Sequence, residues 1–176
     1  MTPASTTLPA AGNPARGLGR MLIEHGFGPF LYTPCGVLAP LCSVLAHEAG
    51  LWTVPREDTM VGMAAGAALG GASPVVLTQN SGLGQSVNAL ASLVVPYRIP
   101  MLLLVSMRGL APDSTAENAA MGRLTRPLLA QLGIASWPLP DADGLPGLFE
   151  QLERVVLDER RPAAVLVGPD AFGWSA

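Results

Sequence analysis

Glu57 lies in the stretch Val54-Pro55-Arg56-Glu57-Asp58-Thr59-Met60-Val61-Gly62-Met63-Ala64-Ala65-Gly66, where an acid opens a segment that is otherwise apolar and small. Two roles fit an acid so placed. It can stabilise a helix start through the backbone dipole, or it can handle a proton. Its helical neighbours three and four positions on are Met60 and Val61, and a carboxyl buried against such groups favours its protonated form and moves toward a useful working range. The local residues leave both roles open.

Four further groups are candidates for chemistry. Gln79-Asn80-Ser81-Gly82-Leu83-Gly84 follows an apolar run and opens a helical one, so its backbone amides and a positive helix end face anything bound there. It lacks the third glycine of a dinucleotide fingerprint and the lysine of a Walker loop, and a tight turn with Asn80 or Ser81 as helix cap accounts for it equally well. Arg108 and Arg98 flank a strongly apolar run and each could clamp an anion through a planar fork. Arg108 leaves that run at its carboxyl end and is the better substrate ligand, whereas Arg98 precedes Pro100 and suits a structural or interface role. Cys35, in Tyr32-Thr33-Pro34-Cys35-Gly36, offers a thiol at a loop tip; Cys42 reads as core. His47 fits a surface histidine, and Asn88 either an anchoring contact or a solvated side chain.

The elements that must hold these residues alternate in type. Helices are predicted over Ala15 to His25, Val37 to Glu48, Glu57 to Leu69, Leu83 to Val94, Arg123 to Leu132 and Leu145 to Leu157. Strands are predicted over Phe30 to Thr33, Leu51 to Val54, Val75 to Gln79, Met101 to Ser106, Ala135 to Pro138 and Ala163 to Val167. Val75-Val76-Leu77 and Met101 to Val105 are continuously apolar, as strands covered on both faces are. The expected fold is therefore α/β, a three-layer sandwich around a parallel sheet of about six strands. Right-handed crossovers gather the loops at the carboxyl ends of such strands along one edge. Those loops are Thr33 to Gly36, Pro55 to Asp58, Gln79 to Gly84 and Met107 to Met121, and the stronger candidates fall within them.

Composition narrows the function classes. The 176 residues fit one domain, residues 15–176, after a leader at residues 1–14 rich in Thr, Ala, Pro and Gly. Hydrophobic residues make up 49% and charged residues only 13%, less polar surface than a free-standing domain carries, so part of the surface is expected to meet a partner. A net charge of -3 and the lack of a basic stripe argue against nucleic acid. The apolar runs are too short for a bilayer. Two cysteines without metal spacing or a secretory start point to the reducing cytoplasm.

Taken in order, Pro34-Cys35-Gly36-Val37-Leu38-Ala39-Pro40-Leu41, the Glu57 to Gly66 segment, Gln79 to Gly84 with Asn88-Ala89-Leu90-Ala91-Ser92-Leu93, Pro96-Tyr97-Arg98-Ile99-Pro100 and Met107-Arg108-Gly109 resemble one family. It is the pyrimidine-binding domain, or alpha subunit, of the thiamine-diphosphate-dependent decarboxylases that act on phosphonopyruvate and sulfopyruvate. The resemblance spans roughly Leu18 to Gly168, and the Pro-Cys and Tyr-Arg-Ile-Pro elements are closer to the sulfopyruvate branch. It implies the thiamine-diphosphate-binding fold. It also implies that Glu57 hydrogen-bonds the cofactor's aminopyrimidine and activates it, so that a 2-oxo acid loses carbon dioxide and an aldehyde is released. Asn80, Ser81, Gly82 and Leu83 match a loop lining the cofactor. Arg108 matches by position a ligand of the substrate anion, and Cys35 and Asn118 are further substrate-binding candidates.

Enzymes of this kind hold the diphosphate through Mg2+, using a Gly-Asp-Gly motif and a later Asn. No Gly-Asp-Gly occurs here, and Asp141-Ala142-Asp143-Gly144 is better read as a turn. The resemblance thus implies a second subunit that carries the Gly-Asp-Gly motif and supplies the magnesium ligands. Three positions depart from the pattern: Arg56-Glu57-Asp58 stands for Asn-Glu-Gly, Met107 for Trp, and Asn118 about where the family has His. An amide does not replace an imidazole in proton transfer, so the substrate differs, the partner supplies the proton, or activity is reduced. Two alternatives accompany the decarboxylase reading: ligation to an aldehyde acceptor, and a non-catalytic phosphate-binding regulatory module.

Overall fold

The computed structural model describes residues 14–113 and 115–175; the leader at residues 1–13 lies outside them. Among the described residues six strands form one sheet: β1 (Phe30–Tyr32), β2 (Leu51–Thr53), β3 (Val75–Gln79), β4 (Leu102–Ser106), β5 (Ala135–Pro138) and β6 (Ala163–Val167). Their order is β2-β1-β3-β4-β6-β5 and every pairing is parallel. β3, β4 and β6 are central and almost wholly buried, whereas β2 and β5 are edges and largely open. This is why Val75-Val76-Leu77 and Met101 to Val105 read as unbroken apolar runs.

The connections from β1 to β2 and from β5 to β6 run one way along the sheet and the other three run the opposite way. Right-handed crossovers then place their helices on opposite faces. α2 (Ala39–Glu48) and α7 (Leu145–Leu152) join α1 (Pro14–Glu24) over one face, burying Leu41, Leu45, Phe149, Leu18 and Leu22 against Val75, Leu77, Leu102, Leu104 and Val165. α3 (Glu57–Leu69), α4 (Asn80–Gln85) and α6 (Ala119–Gln131) cover the other, burying Met60, Val61, Leu83 and Leu129 against Val76, Leu103, Val105 and Leu166. Alternate side chains of one strand thus feed two separate cores.

Two helices begin three or four residues earlier than the pattern predicts. α4 starts at Asn80 rather than Leu83, and continues through α5 (Val87–Ala89) into a π-helical turn, Leu90–Val94. α6 starts at Ala119 rather than Arg123, preceded by a 3-10 turn over Ala116–Asn118. Both early starts lie at polar or small residues that carry no apolar period, so the helix is decided there by tertiary contact. Pro14, assigned to the leader by composition, is the first residue of α1, a position where the missing N–H costs nothing. Asp141 to Gly144 is the expected turn, with the Asp141 carboxylate accepting from the Gly144 amide at 3.1 Å.

Candidate active site

The chain moves outward from β1 to β2 and then returns past β1 to β3, so the loops leaving β1 and β3 diverge and open a crevice at the carboxyl edge of the sheet. Across it the buried hydroxyls of Thr33 and Thr78 lie 3.5 Å apart.

Glu57 enters this crevice from the start of α3. Its flanking residues are engaged with each other, Arg56 donating to Asp58 through Nη2 at 2.8 Å and Nε at 3.1 Å, and Asp58 also accepting from the Thr59 amide at 2.8 Å. The half-buried Glu57 carboxylate makes no hydrogen bond among the described residues. Its side chain lies across Gly82: a β-carbon there would overlap Glu57 Cγ and Thr78 Oγ1 and sit 2.7 Å from Glu57 Oε1. Only glycine permits that approach.

Asn80 is fully buried and does not cap its helix. Its Nδ2 donates to the Arg108 carbonyl at 2.8 Å and its Oδ1 accepts from the Arg108 amide at 3.3 Å. Ser81 is exposed and accepts from Gln79 Nε2 at 2.8 Å, and Gln79 rather than Asn80 or Ser81 holds the cap position. The turn-with-cap account of this loop is therefore overturned. Leu83 is core.

Arg108 is joined to a residue that the pattern did not single out. Asp113, whose side chain is fully buried, accepts from Arg108 Nε at 2.6 Å, from the Gly109 amide at 2.8 Å, from the Thr115 amide at 3.1 Å and from Asn118 Nδ2 at 3.2 Å. The Thr115 hydroxyl donates to it as well. The Arg108 guanidinium, aided by Thr115 and these amides, holds the Asp113 carboxyl well below the usual carboxylate range. Asn118, the N-cap residue of α6, gives its side chain to Asp113 and not to the helix end. Gly109, at φ 77°, packs so closely that a β-carbon would overlap the Asn118 carbonyl. These bonds tie Arg108, Gly109, Thr115 and Asn118 to the one Asp113 carboxylate.

Trp174, in the segment after β6, completes the enclosure. Arg108 Cζ lies 4.4 Å from the centroid of its ring, a cation–π distance, and its Nε1 lies 3.3 Å from where a Gly36 β-carbon would stand. Beside Gly36, Cys35 Sγ is 3.1 Å from Ser106 Oγ at the end of β4. Cys42 is buried, and burial pushes its thiol up to about 12. A groove of about 760 Å3 runs from Cys35 past Ser43 to His47, and neither Glu57 nor Arg108 lines it. Arg98 lies at the opposite end of β4, exposed, with Nη2 3.4 Å from the Glu159 carbonyl. Asn88 is exposed on α5.

The tertiary fold thus brings Arg108, Asn80 and Asn118 into one network and sets Glu57 on Gly82. Sequence reading missed Asp113 and Trp174. The spacing of Asp113 and Thr115 is an Asx-turn signal that could have found the first. Trp174 carried no local signal. Among the described residues no group of three His, Cys, Asp or Glu side chains could hold a metal ion, and no helix is long and apolar enough to cross a membrane.

No protein-family model matches the chain. A solved structure of 2-oxoglutarate:ferredoxin oxidoreductase from Magnetococcus marinus superimposes with a TM-score of 0.70 at 19% identity, over 93% of this chain and 29% of that one. At that identity the likeness concerns the fold, which is the thiamine-diphosphate-binding fold. The sulfopyruvate decarboxylase subunit alpha of Methanococcus maripaludis is 30% identical over 164 residues, 92% of this chain and 97% of that protein. The phosphonopyruvate decarboxylase of Streptomyces hygroscopicus is 34% identical over 138 residues, 76% of this chain but 34% of its own length. The chain belongs to the sulfopyruvate and phosphonopyruvate decarboxylase family, in its alpha-subunit form.

Proposed function

We propose that the chain is the alpha subunit of a thiamine-diphosphate-dependent carboxy-lyase that converts 3-sulfopyruvate or 3-phosphonopyruvate to the corresponding aldehyde and carbon dioxide. The observation that carries the reading is the Glu57 carboxylate, without a hydrogen-bond partner among the described residues and laid across Gly82 at the carboxyl edge of the sheet. The full-length match to an alpha subunit supports the same reading.

The residues present fit the aminopyrimidine end of the cofactor. Glu57 offers a carboxyl oxygen that can accept or give a proton at a ring nitrogen, and the missing β-carbon at Gly82 makes room for the Glu57 side chain to lie at the crevice. The backbone at the start of α4 lines the same crevice through Asn80, Ser81, Gly82 and Leu83. When bound, the cofactor supplies the nucleophile and electron sink that release carbon dioxide from a 2-oxo acid. This chain's own residues orient and exclude: Glu57 holds or moves one proton, Arg108 meets the sulfonate or phosphonate, and Cys35 and Asn118 border the substrate. Mg2+ and the diphosphate ligands are assigned to a second subunit bearing a Gly-Asp-Gly motif, which this chain lacks. The decisive experiment purifies the chain with its partner and measures carbon dioxide release from both acids, with and without thiamine diphosphate and Mg2+. Cofactor-dependent release is expected, and none from any 2-oxo acid would sink the assignment.

A further inference from the structure

Arg108 is fixed on two sides. Its Nε is engaged by the Asp113 carboxylate at 2.6 Å, Nη2 lies 3.4 Å from the Thr115 hydroxyl, and the Trp174 ring covers one face at 4.4 Å. Nη1 makes no hydrogen bond among the described residues, and the side chain is 19% exposed. An arginine free to swing samples many rotamers, and each must be given up when an anion binds. Here the plane is set beforehand from both an edge and a face.

We propose that Asp113 and Trp174 are positioning residues that fix the Arg108 guanidinium plane, so that its outer edge receives the sulfonate or phosphonate of the substrate. The inference rests on the reading of Arg108 as the ligand of that anion. Asp113 acts through Arg108 and touches no substrate. Its buried negative charge gives the idea a sharp sign. Electrostatics alone would have Asp113→Asn tighten an anion, because one repelling charge is removed. Positioning requires that the same substitution loosen it, because the guanidinium loses its anchor.

The test uses the complex of this chain with its partner subunit, in wild-type form and with Arg108→Met, Asp113→Asn, Trp174→Leu or Trp174→Phe. The readouts are calorimetric binding of sulfoacetate, which has the carboxylate and sulfonate but no 2-oxo group, and KM and kcat for 3-sulfopyruvate beside pyruvate. Asp113→Asn and Trp174→Leu are expected to weaken sulfoacetate and to raise KM for 3-sulfopyruvate by roughly ten- to a hundredfold, the scale of a misplaced clamp. KM for pyruvate and both kcat values should hold within a few-fold, and Trp174→Phe should restore binding. Where Asp113→Asn does not fold, the Trp174 pair decides alone. If Arg108→Met weakens sulfoacetate but neither Asp113→Asn nor Trp174→Leu does, or if Asp113→Asn tightens it, the positioning role is overturned and the reading of Arg108 stands. If Arg108→Met leaves binding unchanged, or the wild-type complex does not bind sulfoacetate, the reading of Arg108 falls and the inference with it.

Discussion

The Asn80 side chain grips the Arg108 peptide at both ends, donating to its carbonyl at 2.8 Å and accepting from its amide at 3.3 Å. It ties the start of α4 to the exit of β4 across neighbouring strands. A buried amide with both ends satisfied is a poor direct cofactor ligand through its side chain, so what this position offers the crevice is backbone. Asn80→Ala should cost about 1–3 kcal/mol, because two part-buried peptide groups lose their partners. Urea unfolding of the complex measures this, and an unchanged midpoint would refute the clamp.

Gly82→Ala should be worse than a helix-favouring change on an open surface. The added methyl meets Thr78 Oγ1 and the Glu57 side chain at once, and overpacking of that kind costs about 1–3 kcal/mol. Because Glu57 must move aside, turnover should fall by more than stability accounts for. A variant as active as wild type would show that Glu57 does not act from this position.

Glu57→Gln keeps the shape and removes the titrating proton. It should lower kcat by roughly 10²–10⁴-fold, the range of a positioned acid or base, while the elution volume of the complex is unaltered. Full activity in this variant would remove Glu57 from the chemistry.

Acid should loosen the loop from Arg108 to Asn118. Asp113 is held below its ordinary range by Arg108, so near and below pH ~4 the unfolded chain binds the extra proton first. The contribution of this carboxylate is therefore present above about pH 4 and fades as pH falls below it. Unfolding curves between pH 3 and pH 6 should show a steeper acid loss for wild type than for Asp113→Asn, and parallel profiles would contradict the pairing.

The two thiols should separate on labelling. Cys42 is buried and its thiol is pushed up to about 12, so it stays protonated and shielded near neutral pH. Cys35 is only partly buried. A disulfide reagent at pH 8 should modify Cys35→Ser far more slowly than Cys42→Ser, and equal rates would contradict the burial.

Much of the fold was legible because two-sided burial leaves unbroken apolar runs in the central strands; Val75–Gln79 and Ala163–Val167 match their predicted bounds, as does the open edge strand Ala135–Pro138. The edge assignment of Glu57, Arg108 and the Asn80 loop follows from the same topology. Less legible were the starts of α4 and α6, where Asn80, Ser81 and Ala119 carry no period to read. The exposed Trp52, Leu69, Tyr97 and Leu124 agree with the apolar surface that composition predicts.

By itself the sequence determined the layered parallel sheet, the loops that share its carboxyl edge and the residue types gathered there, because periodicity and chain order are local properties. Only the tertiary structure decided which of those residues touch. Glu57 reaches Gly82 across 25 positions, Asn80 reaches Arg108 across 28, and Trp174 closes on Arg108 across 66. Contacts over such separations depend on strand order and side-chain packing, which no single segment encodes.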